Sequence, residues 1–153
     1  MVFFGIDISK LTFDVTVLIE DKSQHKKFDN NLQGFSHFHK WIKSLKSESY
    51  ICMEATGIYS MHLALYLVKR KYKTIVSNPY KIKNYARMKM NRNKTDKADS
   101  LCVAQYCKNL YRENEIDNQI YVPKSKYFQR LQALVTRLEQ VKLLRVQLGE
   151  FII

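Results

Sequence analysis

Three strand-like runs open this chain, and helical and strand-like runs then alternate, which leaves few folds available. Residues 2–9 are apolar, residues 12–20 alternate apolar with polar side chains, and residues 24–30 form a weaker polar run. Short β-prone runs with brief connections are typical of neighbouring antiparallel strands. We therefore expect the first thirty residues to form a three-stranded meander.

Helical periodicity and short apolar runs alternate in the next part of the chain. Helices are predicted by apolar residues three and four apart at 33–46, 58–71 and 96–110, and by a basic helical pattern at 80–91. Two further strands are predicted at 49–55 and 73–77. The order βββαβαβα predicts an α/β fold with a mixed five-stranded sheet flanked by helices. Right-handed crossovers favour the strand order 3-2-1-4-5.

A long amphipathic pattern predicts a C-terminal helix. Leucine and valine recur every three or four residues between 127 and 150, which is typical of a short coiled coil. We expect one domain at 1–112, followed by a linker and coiled-coil helix at 113–153. This helix predicts a homodimer or higher homo-oligomer through residues 127–150; docking on its own domain is the alternative. Because three apolar residues end the chain without a stop signal, we also expect a longer parent protein.

The charge of the chain predicts a polyanionic partner. Lys and Arg total 26 and Asp and Glu total 14, which leaves a net charge of +12. Residues 80–97 carry seven cations and one acid, a net +6, so half of the excess lies there. We expect this segment to contact a nucleic-acid backbone; a solvated helix face is the alternative. The cations concerned are Lys81, Lys83, Arg87, Lys89, Arg92, Lys94 and Lys97.

The sequence gives little support for a zinc site, a signal peptide or a membrane span. Cys52, Cys102 and Cys107 are odd in number and lack zinc-site spacing, so we expect reduced, buried thiols. No signal-peptide pattern follows Met1, and no apolar run approaches the roughly 20 residues of a membrane span. These features predict a cytoplasmic protein without a membrane partner.

Two carboxylates occupy positions that an apolar strand disfavours. Asp7 interrupts the first strand and Glu54 closes the fourth, where an isolated ionised carboxylate is expensive to bury. In the predicted order these strands are parallel neighbours, so both acids would lie near their carboxyl ends, where α/β sheets place ligands. The alternatives are a turn cap at Asp7 and a helix-start contact at Glu54. Asp14 lies on the polar face of the second strand, where solvent exposure would explain it.

Asp96 and Asp99 stand three residues apart and would share one face of the predicted helix. Two acids on one face can hold a cation together. Helix capping is the alternative that these residues alone favour, because Thr95 or Asp96 is a good N-cap. Four converging carboxylates would need divalent cations, and Mg²⁺ or Mn²⁺ prefers such oxygen ligands. A pair of these ions can clamp the reacting oxygens of a phosphodiester.

Three motifs carry a resemblance to a known family. GIDISK, EATGIY and KTDKAD, in this order and spacing, resemble the N-terminal domain of the DEDD transposases of insertion sequence one hundred and ten. That family includes the Piv and MooV DNA invertases. The resemblance covers residues 2–110 and continues into a segment similar to the family's coiled-coil linker. It implies a RuvC-like, or ribonuclease-H-like, fold.

The resemblance also assigns roles to the acids. The family's four acids fall on Asp7, Glu54, Asp96 and Asp99, which implies Mg²⁺-dependent DNA cleavage and strand exchange. Full-length members carry a second domain with a catalytic serine, and some use a structured guide RNA, so DNA and a guide RNA are the implied partners. We expect this chain alone to bind nucleic acid without completing recombination. Ser100 departs from the pattern, since alanine is usual there, and Asn91 stands where glycine is common.

The residues alone are compatible with other functions. A RuvC-like nuclease or Holliday-junction resolvase would share the fold, and a non-catalytic nucleic-acid-binding module would share the charge. Sugar kinases and actin-like ATPases also begin with a strand that ends in GxD. They follow it with a glycine-rich phosphate turn, which the residues Ile8-Ser9-Lys10 do not provide.

Overall fold

The computed structural model describes residues 1–89 and 95–151, and for Asp96, Glu150 and Phe151 it describes the backbone only. The chain forms two compact units, Met1–Tyr121 and Val122–Ile153. In the first, the strands are β1 (Val2–Ile8), β2 (Thr12–Ile19), β3 (Lys22–Asp29), β4 (Ser49–Glu54) and β5 (Lys73–Ser77). Its helices are α1 (Leu32–Ser44), α2 (Ile58–Lys69), α3 (Pro79–Met88), α4 (Asp96–Arg112) and a short 3-10 helix (Ile116–Gln119).

The five strands form one mixed sheet in the order β3-β2-β1-β4-β5, which confirms the predicted topology. β1 runs antiparallel to β2 and parallel to β4, and β4 runs parallel to β5. This arrangement places β1 at the centre of the sheet. Its carboxyl end therefore lies beside the carboxyl end of β4.

Alternate residues of the strands supply two separate cores. Phe4 and Ile6 of β1 face a core shared with Phe38 of α1 and Leu63 of α2. On the other face, Phe3 belongs to a second core with residues of α3 and α4. Because side chains alternate along a strand, Gly5 and Asp7 share the second face, beneath α4.

Helix α4 lies directly against the central strand at Gly5. A Cβ atom at this position would stand 2.0 Å from the backbone nitrogen of Ala104 and 2.2 Å from the carbonyl oxygen of Ser100. Only glycine fits so close an approach. The Ser100 hydroxyl also lies 2.7 Å from the buried hydroxyl of Thr16 on β2. The serine found where alanine is usual thus joins α4 to the sheet.

Residues 113–121, which the sequence places in the linker, belong to the first unit and contact its strand β5. Ile116 is only 2% exposed. The backbone N–H of Tyr121 donates to the carbonyl of Thr74 at 2.7 Å, and Ile120 forms an isolated antiparallel bridge with Ile75 of β5. We refer to residues 113–121 as the exit strap.

The second unit is dominated by α5 (Lys126–Phe151), which confirms the predicted C-terminal helix. Its apolar seam is exposed: Leu131, Leu134, Leu138, Val141 and Leu148 are each 54–62% accessible. Among the described residues of this unit, the apolar seam has no packing partner.

Two further predictions concern cysteines and membranes. All three cysteines are buried, as predicted, and none forms a disulfide within residues 1–89 and 95–151. Among the described helices, none is both long enough and apolar enough to cross a membrane.

Candidate functional site

Three of the four predicted acids line one cleft. It has a volume of about 530 Å³ and lies between the carboxyl ends of β1 and β4 and the helices α3 and α4. We call it the acid cleft. Its lining residues are Asp7, Glu54, Ile82, Lys83, Ala86, Arg87, Ala98, Asp99, Cys102 and Val103.

Strand register places Asp7 beside Glu54. Ile6 of β1 pairs in parallel with Met53 of β4, and the two acids follow one residue later on each strand. In-register residues on parallel neighbours face the same side of the sheet. Both acids are half-buried. The hypothesis that they lie together near the strand ends therefore agrees with the geometry.

The start of α4 brings Asp99 to the same cleft. Thr95 is the N-cap: its hydroxyl accepts from the backbone N–H of Ala98 at 3.1 Å. Asp99 lies one turn into the helix, where its own N–H donates to the Thr95 carbonyl at 2.8 Å, and its side chain is exposed. Capping and a cleft position thus coexist. Asp96 begins the helix, but its side chain lies outside the described residues.

The electrostatics of Glu54 reflect its place in this cleft. Burial raises the pKa of its carboxyl group above the ordinary value, the nearby Lys83 opposes that shift, and the negative charge of Asp99 adds to it. Two of the acids therefore repel each other across the cleft. A cation placed between them would relieve this repulsion.

The raised pKa gives a prediction for stability in metal-free buffer. The folded protein holds the Glu54 proton more tightly than the unfolded chain, so stability falls as pH rises from 4.5 through the raised pKa. We expect Glu54→Gln to be more stable than the wild type at about pH 7 and no more stable well below pH 4.5. Melting temperatures measured in EDTA across this pH range would check it.

Glu139→Gln provides the control, because Glu139 is an exposed residue of α5. Its melting curve should follow the wild type at every pH. A Glu54→Gln protein that is less stable than the wild type near neutral pH would contradict the prediction.

The donor chemistry of the cleft fits a hard divalent cation. Carboxylate oxygens are the ligands that Mg²⁺ and Mn²⁺ prefer, and the repulsion between Glu54 and Asp99 favours a positive ion. The described side chains of the cleft do not surround a single metal position. Over residues 1–89 and 95–151, no group of three or more His, Cys, Asp or Glu is gathered tightly enough to hold a metal ion.

Two of the predicted cations share the acid cleft. Lys83 and Arg87 lie one helical turn apart on α3, and both line the cavity that contains the acids. Their spacing puts them on one face of the helix. Positive and negative side chains thus meet in the cleft in an arrangement that can receive a phosphate group.

Of the other predicted cations, the three that the structure describes do not line the acid cleft. Lys81 and Lys97 are exposed and do not line the acid cleft. Lys89 borders a different cavity and lies 5.8 Å from the ring centre of Tyr85. Arg92 and Lys94 lie outside the described residues. The structure therefore places Lys83 and Arg87 in the acid cleft, and nucleic-acid contact along the whole basic segment stays a prediction.

The prediction that Asp14 is exposed to solvent is wrong. Asp14 is 5% exposed, not solvated, because α4 covers the face of β2 on which it lies. His25 Nε2 is 2.8 Å from its Oδ1 atom, and Lys27 Nζ is 3.7 Å from its Oδ2 atom. Across the β1–β2 pair, Asp14 stands opposite Asp7. The sequence signal for this ion-paired position was the basic pair His25 and Lys27, which stand two residues apart on the neighbouring strand β3.

Comparisons with known proteins converge on one family. A protein-family model described as "Transposase", for the DEDD transposases of insertion sequence 110, matches residues 4–149. The pilin gene-inverting protein of Moraxella bovis is 34% identical over 143 residues, which cover 92% of this chain and 42% of that protein. The pilin gene-inverting protein of Moraxella lacunata gives the same identity and coverage. The chain therefore spans less than half the length of these relatives.

Proposed function

Because the chain belongs to the DEDD transposase family of insertion sequence 110, we propose that it is the acid-bearing catalytic domain of a DNA transposase or site-specific recombinase. The observation that carries this proposal is the acid cleft, where Asp7, Glu54 and Asp99 lie with Lys83 and Arg87. The names of the pilin gene-inverting relatives support DNA as the substrate. The proposed reaction is phosphodiester cleavage and strand exchange.

The four acids would together coordinate Mg²⁺ or Mn²⁺. Asp7 and Glu54 approach the cleft from the sheet and Asp99 approaches it from α4, with Asp96 as the fourth proposed ligand. When bound, such an ion polarises a phosphodiester and stabilises the negative charge that develops during cleavage. The anchoring of α4 at Gly5 and Ser100 fixes the distance between the two groups of ligands.

Lys83 and Arg87 would hold the phosphate itself. An arginine guanidinium can bind two phosphate oxygens at once, whereas a lysine acts as a mobile point charge. The apolar side chains of Ile82 and Val103 line the same cleft. Charge contacts near a protein surface are stronger than they would be in bulk water.

The direct test of the proposal is strand cleavage. The protein that carries this chain should cleave duplex DNA in the presence of Mg²⁺ or Mn²⁺ and should not cleave it in EDTA. Cleavage at equal rates under both conditions would reject the proposed role of the acids.

Replacing both cleft cations should weaken nucleic-acid binding. Each phosphate contact contributes about 0.9 to the slope of log affinity against log salt on duplex DNA. We therefore expect Lys83→Gln with Arg87→Gln to reduce that slope by about 1–2, as measured by fluorescence anisotropy over a salt series. The matched control is Lys22→Gln with Lys40→Gln, which removes two exposed cations that do not line the acid cleft. Equal slopes for the two double variants would contradict the proposed phosphate contacts.

The proposed domain boundaries assign catalysis to residues 1–112 and linker and assembly functions to 113–153. We propose that α5 pairs with α5 of another copy as a coiled coil, because its seam is exposed along its length. We also include a guide RNA among the proposed partners of the full-length protein, since the family resemblance implies it.

Leu138→Glu should disrupt this pairing. Leu138 lies midway along the exposed seam, and a charge there would be buried in the interface. We expect sedimentation to show concentration-dependent association of the wild type and a monomer for the variant. Gln140→Glu adds the same charge outside the seam and should leave association intact. A wild type that stays monomeric at all concentrations would reject the coiled-coil proposal.

One observation favours a second candidate function. The net charge of +12 would serve a non-catalytic nucleic-acid-binding module equally well, without any role for the acids. That module would bind nucleic acid in EDTA as well as in Mg²⁺, and its binding would survive Asp7→Ala. A RuvC-like nuclease or Holliday-junction resolvase would cleave DNA without strand exchange.

A further inference from the structure

A second cleft in the first unit is lined by cations without a carboxylate. It has a volume of about 570 Å³ and opens between the C-terminal ends of α1 and α2. We call it the α1–α2 basic cleft. Its polar lining includes His39, Lys43, Lys46, Arg70, Lys71 and Tyr72.

This cleft is separate from the acid cleft. α1 leads into the start of β4 and α2 leads into the start of β5, whereas Glu54 lies at the far end of β4. At about 3.3 Å per residue, the length of β4 separates the two sites by roughly 17 Å. The helices α1 and α2 also pack on the face of the sheet opposite to α4. One phosphate group cannot occupy both clefts.

The three lysines of this cleft have no acidic partner in the part of the chain that the structure describes. Over residues 1–89 and 95–151, no ion pair joins Lys43, Lys46 or Lys71 to a carboxylate. Arg70 lies 3.5 Å from the ring centre of Tyr66 and donates to the Tyr66 carbonyl. Positive side chains from two helix ends therefore gather around one cavity.

His39 lies beside these cations in the cleft. Burial lowers the pKa of its imidazole, and the charges of Lys43 and Arg70 lower it further. The Tyr72 hydroxyl lies 2.8 Å from His39 Nδ1 and holds the ring in place. The histidine is thus favoured in its neutral form at the base of a cluster of permanent cations.

Two of the lysines occupy backbone positions that usually favour other residues. Lys46 has a φ of 47° and Lys71 a φ of 64°, and each directly follows the C-cap of its helix. Glycine or asparagine is the common choice at this left-handed position. A lysine nevertheless occupies this position after each of the two helices, and both lysines line the same cleft.

Stabilisation of the helix ends is the competing explanation. Cations near a helix C-terminus offset the partial negative charge of its last carbonyl groups. That role needs no ligand, and it predicts an effect on stability alone. The clustering of cations from two helices around one cavity goes beyond what each helix end requires.

From this geometry we propose that the α1–α2 basic cleft binds the phosphodiester backbone of a nucleic-acid segment distinct from the one in the acid cleft. Lys43, Lys46 and Lys71 supply phosphate contacts, and Arg70 completes the positive wall. The binding needs no divalent metal. It is therefore independent of whether the acid cleft cleaves DNA.

The test removes charge from the cleft without changing its backbone. The pocket variant combines Lys43→Gln, Lys46→Asn and Lys71→Asn, since asparagine tolerates the left-handed conformation. Arg70 is retained because it packs on Tyr66. The control variant combines Lys10→Gln, Lys22→Gln and Lys40→Gln, three exposed cations that do not line this cleft. Both variants lose three positive charges.

Binding of both variants and the wild type is measured in EDTA over a salt series. Duplex DNA, single-stranded DNA and duplex RNA of equal length serve as separate probes. We expect the pocket variant to reduce the salt slope by about 2–3 on at least one probe, since each phosphate contact contributes about 0.7–0.9. The probe with the largest change identifies the type of nucleic acid. The control variant should change the slope by less than about 1 on each probe.

Two outcomes would overturn the proposal. One is an equal change of slope in the pocket and control variants, which would show that only net charge matters. The other is a lower melting temperature of the pocket variant with an unchanged slope, as stabilisation of the helix ends predicts. If the triple variant does not fold, Lys43→Gln alone replaces it, with an expected slope reduction of about 0.7–0.9. Loss of DNA cleavage through an acid-cleft variant would leave these slopes unchanged, so the two proposals fail separately.

Discussion

Replacing Asp7 with asparagine is expected to reduce metal-dependent DNA cleavage by about 10³-fold or more in the protein that carries this chain. Loss of one metal ligand removes several kcal/mol of transition-state stabilisation, and each 1.36 kcal/mol corresponds to about a factor of ten. Asparagine has nearly the same shape as aspartate, so the half-buried position should keep its packing. The measurement is the rate of cleavage of labelled DNA in Mg²⁺.

The same variant gives a readout that does not depend on activity. Metal at about one hundred times its dissociation constant should stabilise the wild type by about 2.7 kcal/mol, which corresponds to a rise in melting temperature of roughly 5–10 °C. Asp7→Asn should lose most of this rise. Asp21→Asn, an exposed change in the turn after β2, should keep both the metal response and cleavage. Equal metal responses for Asp7→Asn and the wild type would exclude Asp7 as a ligand.

The largest effect on folding is expected from Gly5→Ala. The added methyl group would stand 2.0 Å from a backbone nitrogen and 2.2 Å from a carbonyl oxygen of α4, and neither atom can move away by changing a rotamer. We expect a loss of about 3 kcal/mol or more in the free energy of unfolding, at or above the usual range for overpacking. Urea denaturation followed by circular dichroism would measure it. This loss is a large share of the roughly 5–15 kcal/mol that stabilises a typical domain.

Gly149→Ala is the matched control, since a Cβ at Gly149 would meet nothing within 4 Å. Alanine in a helix interior is favoured over glycine by about 1 kcal/mol, so this variant should be neutral or stabilising. Gly5→Ala should also weaken the metal response of the acid cleft, because α4 carries Asp99. A Gly5→Ala protein with a wild-type unfolding curve would show that α4 does not need this close contact.

The sequence predicted the order of the strands and the partnership of Asp7 with Glu54. Alternating side chains identify a strand, and the crossover rule then limits where β4 can lie. Once β1 and β4 are parallel neighbours, their register puts the two acids side by side. The helical spacing of α4 likewise predicted the helix that carries Asp99.

Strand patterns could not predict which helices cover each face of the sheet. Asp14 and Thr16 alternate with apolar residues and look solvent-facing, yet α4 buries both. A strand pattern separates two faces without saying which element lies over each. The close approach at Gly5 is hidden for the same reason. The α1–α2 basic cleft also escaped prediction, because its cations come from two helix ends that are distant in sequence.

The two outer strands of the sheet bear on how copies of this protein can associate. An open strand edge presents unpaired backbone groups that can recruit another chain and start aggregation. On one border, β3 carries Lys22, Lys26 and Lys27, whose charges discourage such recruitment. On the other border, the exit strap occupies hydrogen-bonding positions of β5 at Thr74 and Ile75. Both edge strands are therefore protected against pairing with a strand of another copy. Copies of this protein are expected to contact each other through surfaces other than the sheet edges.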